Sequence, residues 1–299
     1  MMETHGRLRD ALRAAVEPVL FGDIGAATEA LHAFEQAFAA VSGRRHVFGV
    51  QSGTAGLLLA LRACGIGPGD EVITVGNSDI STTAAISHCG ATPVLCDVAA
   101  TDYTIDPGQV ADLITPRTRA ILPVDLYGHP ADVRALRDLA ARKGMRIVED
   151  AALAAGARDG GQPVGAFADV TVFSFAPYKP LGSAGSGGAV VTDDPDIARS
   201  VSTLRGYGAS SDAPPPAPGY QAHVAEGYHL PLDGVQAAVL SVKLPYLDEW
   251  TRRRRAAADA YAEALRHLPV ETPTFRPGSE PTFRQYTVRV GERDDVYRR

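Results

Sequence analysis

The chain alternates short apolar runs with longer stretches in which apolar residues recur every three to four positions. From about residue 46 the runs HVFGVQ, EVITV, TPVLCDV, RAILPVDL, MRIVED, DVTVFSF and GAVVT read as strands. TAGLLLALRAC, a stretch around STTAAISHC, and ADVRALRDLAARKG read as helices between them. Near-continuous apolar strands separated by helices predict an α/β fold, three layers deep (α/β/α), with a mostly parallel central sheet covered on both faces. Past residue 206 the pattern changes. SSDAPPPAPG is a loop too poor in apolar side chains to pack alone. LDGVQAAVLSVKLPYLDEWTRRRRAAADAYAEALRHL then reads as one long helix. It should kink at Pro245, since proline has no amide to donate and its ring crowds the preceding turn. FRQYTVRV predicts a further strand. The chain is therefore expected to divide into a large domain over 1–245 and a linking helix over 246–299 that opens a smaller, incomplete C-terminal α/β domain.

Ligands of parallel sheets sit outside the carboxyl ends of the strands. That rule selects Gln51-Ser52-Gly53-Thr54, Glu149-Asp150 and the segment Ser174 to Lys179. Composition narrows the partners. A formal charge of −6 argues against nucleic acid and against an acidic membrane surface. TRRRR at 251–255 is the one basic run, and its helical setting makes it a solvated face. Cys64, Cys89 and Cys96 lack metal-type spacing and are odd in number, so they read as small buried hydrophobes in a reducing compartment. The start, METHGRLRDALRAAVEPVLFGD, is interrupted by charge and has no apolar core of export length, so a cytoplasmic protein is expected.

Lysine is the scarce residue. Among 29 basic side chains only Lys143, Lys179 and Lys243 are amines. Lys179 stands at the mouth of the glycine-rich turn in VFSFAPYKPLGSAGSGG. An amine can shed its proton and condense with an aldehyde, whereas a guanidinium stays charged. Pyridoxal phosphate chemistry needs such an amine, an acid beside the pyridine nitrogen, and a phosphate anchor. Asp150 follows the strand MRIVE. SGTAG at 52–56 joins a strand to a helix, so that Gly53, Thr54 and Ala55 offer backbone amides and a hydroxyl to a phosphate. Ser174 offers another hydroxyl. Each feature alone is commoner as a cap, a turn residue or a solvated charge; their order and shared sheet edge carry the signal.

The blocks SGTAGLLLALRACGIGPGDEVI, GATPVLCDV, TPRTRAILPVDLYGHPADV, VEDAALAAGA, FSFAPYKPLGSAGSGGAVVT and LDGVQAAVLSVKL resemble, in order, the DegT/DnrJ/StrS family of pyridoxal-phosphate-dependent sugar aminotransferases, of aspartate-aminotransferase fold type I. The resemblance implies that Lys179 is the Schiff-base lysine and Asp150 the pyridine-nitrogen partner. It places Thr54, Ala55 and Ser174 on the phosphate. It implies a homodimer with shared active sites, moving an amino group from glutamate or glutamine to a nucleotide-activated keto sugar in deoxyaminosugar or antibiotic-type biosynthesis. An aminocyclitol or aminohydroxybenzoate enzyme, or a catalytically silent partner subunit, are the alternatives.

Three positions depart from the family pattern. Asp79 stands where an aromatic ring normally stacks on the cofactor; as a helix N-cap it would instead turn its carboxylate to backbone amides. Leu153 replaces a Gln or His that contacts the cofactor. His229, in EGYHLPLDG, replaces the Asn that reaches the other subunit's phosphate, and Pro231 replaces the following Arg. Tyr178 and Arg205-Gly206-Tyr207 are further candidates for substrate contact.

Overall fold

The computed structural model describes residues 8–210 and 212–298. The stretch METHGR and the final Arg299 lie outside them. Two helices open the chain, α1 (Arg9–Phe21) and α2 (Ala26–Ser42), and lead into β1 (His46–Val50). Then follow α3 (Gly53–Ala63), β2 (Glu71–Val75), α4 (Ile80–His88), β3 (Thr92–Cys96) and β4 (Thr118–Leu122). The series continues with α5 (Val133–Lys143), β5 (Arg146–Asp150), β6 (Val170–Ser174), β7 (Gly188–Thr192) and α6 (Pro195–Arg205). Two helices, α7 (Gly234–Lys243) and α8 (Leu247–Leu265), close the main body, with Leu244–Tyr246 forming a 3₁₀ turn between them. The expected break at Pro245 is therefore present.

The seven strands expected from HVFGVQ to GAVVT occur and form one sheet in the order β1-β7-β6-β5-β4-β2-β3. Six run the same way; β7 is antiparallel to both its neighbours. Side chains alternate across the sheet, and the two faces build two cores. On β6, Val170 and Val172 enter a cluster with Leu57, Leu61, Ile73, Ile121 and Leu136. Phe173, on the other face, joins Phe34, Phe38, Phe175 and Leu240. In the second core the rings of Phe34 and Phe38 both meet Phe175 edge-on, at 5.4 and 5.2 Å between centroids. Each fully buried phenylalanine contributes about 1.5–3 kcal/mol, so α2 is pinned over the end of β6, where the Lys179 loop begins.

Two expectations are corrected. FRQYTVRV is not a strand: only Arg289–Val290 pairs, with Val270–Glu271. The amides of Gln285 and of Thr282 just ahead of the stretch instead bond to the carbonyls of Tyr127 and Gly128, in the 3₁₀ turn after β4. Nor is TRRRR a wholly solvated face. Arg252 and Arg253 are exposed, but Arg254 donates to the Thr282 carbonyl at 3.0 Å. Arg255 donates to the carbonyls of Pro281 and Glu280 and pairs with the Glu280 carboxylate at 2.8 Å. Burial pulls the Arg254 pKa down to about 10. Of the cysteines, Cys89 and Cys96 are buried and Cys64 half-buried, all unbridged. Burial pushes the Cys64 thiol up to about 12. No helix of the described residues is long and apolar enough to cross a membrane.

Candidate active site

β1 stops at Val50 and the chain turns through Gln51 and Ser52 into α3. Ser52 has extended backbone, and its hydroxyl accepts the Ala55 amide at 3.1 Å, an N-cap that starts the helix. The amides of Gly53 and Thr54 stand at that helix start, where unpaired donors and the helix dipole favour an anion. Gly53 must be glycine: a Cβ there would lie 2.9 Å from the Cβ of Ser174. This close approach brings the Ser174 hydroxyl, on the last residue of β6, to the same turn.

Asp150 ends β5 and is buried. Its Oδ1 accepts the amide of Ala152 at 3.1 Å, and its Oδ2 accepts the hydroxyl of Thr82 at 3.0 Å. Thr82 is fully buried in the first turn of α4. Its one proton is committed to Asp150, so Ser78, 2.8 Å away, is the donor in the next link. Burial pushes the Asp150 carboxyl above its ordinary value, opposed by these two hydrogen bonds and by the charge of Lys179.

Burial in turn pulls Lys179 below the usual lysine range; Asp150 and then Asp79 draw it back up, and Arg284 pushes it down. A carbonyl-reactive amine must be free of its proton near neutral pH, and partial burial supplies that bias. Asp79 is the N-cap of α4. Its Oδ1 accepts the Ser81 amide at 2.9 Å, which holds its carboxyl below the ordinary range, with the charge of Lys179 adding to the effect. The residue in the aromatic position is thus a cap that also lies in the electrostatic field of the amine.

Leu153 is half-buried and packs against the larger core, while its carbonyl accepts the Thr282 hydroxyl at 2.9 Å. Its side chain supplies packing and no polar contact. His229 is exposed, paired through its backbone with Gly206, and its ring stacks on Tyr207 at 4.8 Å and 16°. The next residue, Leu230, accepts the Gln51 amide at 3.0 Å, so this segment runs beside the Ser52 turn. Arg205 is not free for substrate: it pairs with Glu35 at 2.6 Å and donates to the Gly49 carbonyl.

The structure adds residues that the sequence did not single out. Arg284 donates through Nε to the Tyr178 carbonyl, and its guanidinium lies 5.9 Å over the Tyr178 ring, with Lys179 Nζ at 5.4 Å from the same ring. Nothing in the sequence signals an approach across 106 positions. Thr82 did have a signal, three residues after a capping aspartate and so in the first turn of the helix. Behind Asp150 lies Asp125, fully buried, its Oδ1 bonded to the Ala131 amide at 2.8 Å. Burial and the neighbouring Glu149 push its carboxyl well above the ordinary range.

These residues fit pyridoxal phosphate. A half-buried amine lies in the field of a buried, hydrogen-bonded carboxylate, and the glycine-permitted contact between the α3 start and Ser174 would cradle a phosphate. The sequence profile of the DegT/DnrJ/EryC1/StrS aminotransferase family matches residues 7–299. The chain is 47% identical over 267 residues to a dTDP-3-amino-3,4,6-trideoxy-alpha-D-glucose transaminase of Streptomyces venezuelae, spanning 89% of this chain and 68% of that one. Its fold matches that of S. venezuelae DesV in complex with a ketimine intermediate, with a TM-score of 0.90, 44% identity, and coverage of 99% and 78% of the two chains. It also matches NtdA from Bacillus subtilis with bound cofactor PMP, at a TM-score of 0.82 and 28% identity over 96% and 67%. With Lys179 and Asp150 at one sheet edge and the match running nearly end to end, the chain belongs to the DegT/DnrJ/EryC1/StrS aminotransferase family, whose enzymes depend on pyridoxal phosphate.

Proposed function

We propose that the protein moves an amino group from glutamate or glutamine to a nucleotide-activated keto sugar in deoxyaminosugar biosynthesis of the antibiotic type, as a cytoplasmic homodimer. The observation that carries this reading is Lys179 held half-buried within the field of Asp150 and Asp79. Likeness to a dTDP-aminosugar transaminase supports the nucleotide sugar as acceptor.

The bound cofactor supplies an electron sink for the carbon that loses or gains the amine. Asp150, oriented by Ala152 and Thr82, holds the proton of the pyridine nitrogen in place. The Gly53 and Thr54 amides and the hydroxyls of Thr54 and Ser174 take the phosphate. Lys179, its proton loosened by burial, removes the donor's α-proton as a general base and returns a proton at the sugar carbon. Asp79 keeps a negative charge beside it and limits how far its pKa falls. His229 and Tyr207 form an exposed aromatic pair beside the Ser52 turn, which supports a partner-facing surface there.

Purified protein with pyridoxal phosphate, a dTDP-linked keto sugar and glutamate or glutamine tests the reading. Mass spectrometry is expected to find the amino sugar, and borohydride trapping a pyridoxyl label on Lys179. No amino sugar from either donor, or a label on another residue, refutes it. Light scattering should give twice the mass of the chain.

A further inference from the structure

The third lysine, and the motif LDGVQAAVLSVKL that contains it, stand outside the chemistry above. Lys243 closes α7 and is 5% exposed, and its Nζ donates to the carbonyl of Gly182 at 2.6 Å. Among the described residues no carboxylate lies within ion-pair distance of it. Burial holds its pKa below the usual lysine range. An ammonium has three donors and loses its hydration when buried, so a single carbonyl is poor compensation. Its place is explained by that carbonyl and not by net stabilisation.

Seven residues earlier, two turns back on the same helix face, stands Gln236. Its Oε1 accepts the amides of Ala184 and Gly185, both at 2.9 Å. Between the two, Leu240 is fully buried in the cluster that holds Phe175 and Leu181. One face of α7 therefore touches the return limb of the Lys179 loop at both ends: an acceptor meets two amides, and a donor meets a carbonyl.

The loop is built to pass a displacement to Lys179. It leaves β6 at Ser174 and returns to β7 at Gly188. The Phe175 amide bonds to the Gly187 carbonyl at 2.7 Å, and the Ser183 amide to the Phe175 carbonyl at 2.8 Å. A Cβ on Gly182 would lie 2.4 Å from the Pro177 carbonyl oxygen, so the return limb rests directly on the limb that carries Lys179. The Lys179 amide then bonds to Ala176 at 2.9 Å. α7 itself is anchored by the Asp233 cap and by packing on α1 and α2.

We propose that Gln236 and Lys243 form a two-point clasp that positions Lys179 by gripping the return limb of its loop. Both are positioning residues, acting on Lys179 through main-chain groups of its loop. The inference rests on Lys179 being the reactive amine, but its first test does not. Amide hydrogen exchange at Ala184 and Gly185 is measured on the cofactor-free protein for Gln236→Leu, Gln236→Glu and Lys243→Met. The Leu and Met variants should exchange these amides at least tenfold faster, while Gln236→Glu, which keeps acceptor oxygens, should stay at the wild-type rate. On adding pyridoxal phosphate, the Leu and Met variants should shift the pH midpoint of the bound cofactor's absorbance band, and the Glu variant should not. Unchanged exchange in both the Leu and Met variants overturns the clasp. So does a loosened loop with an unshifted midpoint. Should Lys243→Met fail to fold, the two Gln236 variants decide the matter. A wild-type protein that never takes a label on Lys179 defeats the functional reading, and the exchange rates still judge the clasp.

Discussion

Replacing Thr82 by valine removes one hydroxyl from the buried chain Ser78–Thr82–Asp150 and keeps the shape of the side chain. Asp150 then retains only the Ala152 amide, and its Oδ2 is left buried without a donor. A hydrogen bond to a charged group is worth about 1.5–3 kcal/mol and a neutral one about 1 kcal/mol. Burial already raises the Asp150 pKa in the folded protein, so stability falls as pH climbs from the unfolded carboxyl value through the folded one. Thr82 opposes that rise, and without it the folded pKa climbs further. The deficit of Thr82→Val should therefore be about 2 kcal/mol at pH 8, roughly 30-fold in the unfolding constant, and shrink to about 1 kcal/mol as pH is lowered towards 4. Urea unfolding of the cofactor-free protein at the two ends of that range measures it, with the denaturant slope expected to be unchanged. Equal deficits at both ends, or a larger one in acid, would refute the claim that Thr82 serves the ionised carboxylate.

Glu149 is also buried, bonded to the Thr171 hydroxyl at 3.0 Å, and burial pushes its carboxyl up to about 7. Stability is thus lost between the unfolded value near 4.5 and pH 7, so Glu149→Gln should gain about 1–3 kcal/mol at pH 8 and nothing at pH 4.5, read from unfolding curves. Asp79→Asn keeps a capping oxygen but removes a charge that raises the Lys179 pKa; the pH midpoint for modification of Lys179 by trinitrobenzenesulfonate should drop, and an upward move would count against the coupling. Asp79→Ala should shift it the same way and also lose about 1 kcal/mol of stability with the cap, measured by thermal melting. Arg255→Ala breaks three bonds to the 280–281 segment and should speed amide exchange at Thr282 and Gln285; unaltered protection would show that the Arg254 and Thr282 side-chain bonds hold the segment without Arg255.

The strands of the sheet were legible because each is short and apolar, and the inner ones are buried on both faces; GAVVT reads this way although β7 runs against its neighbours, while β3, at the sheet edge, is half exposed and marked by composition alone. The lysine, the aspartate and the capped start of α3 were legible because each sits at the end of such a run. FRQYTVRV misled because alternation describes an extended chain and not its partners: the Gln285 amide finds Tyr127, not a strand. TRRRR misled because helical phase, not charge, decides which arginines turn inward, and Arg254 and Arg255 face Thr282 and Pro281. α1 and α2 lie ahead of the strand–helix alternation that begins near residue 46, and α6, directly after β7, was not marked out as a helix within it. The clasp of Gln236 and Lys243 was visible only as a motif, since its partners are main-chain groups with no signature of their own.

The grip of Arg254 and Arg255 on the chain after Ser279 has an evolutionary consequence. Guanidinium groups that hold peptide oxygens hold whatever sequence the ribosome supplies there. Thr282 is tied by its own hydroxyl to the Leu153 carbonyl and Phe283 by ring contacts, so within this segment it is the exposed Gln285 whose side chain can change without redirecting the course that brings Arg284 to Tyr178 beside Lys179. An exposed position fixed by its main chain, one residue from Arg284, is where a new substrate preference can be tried at little risk to the fold.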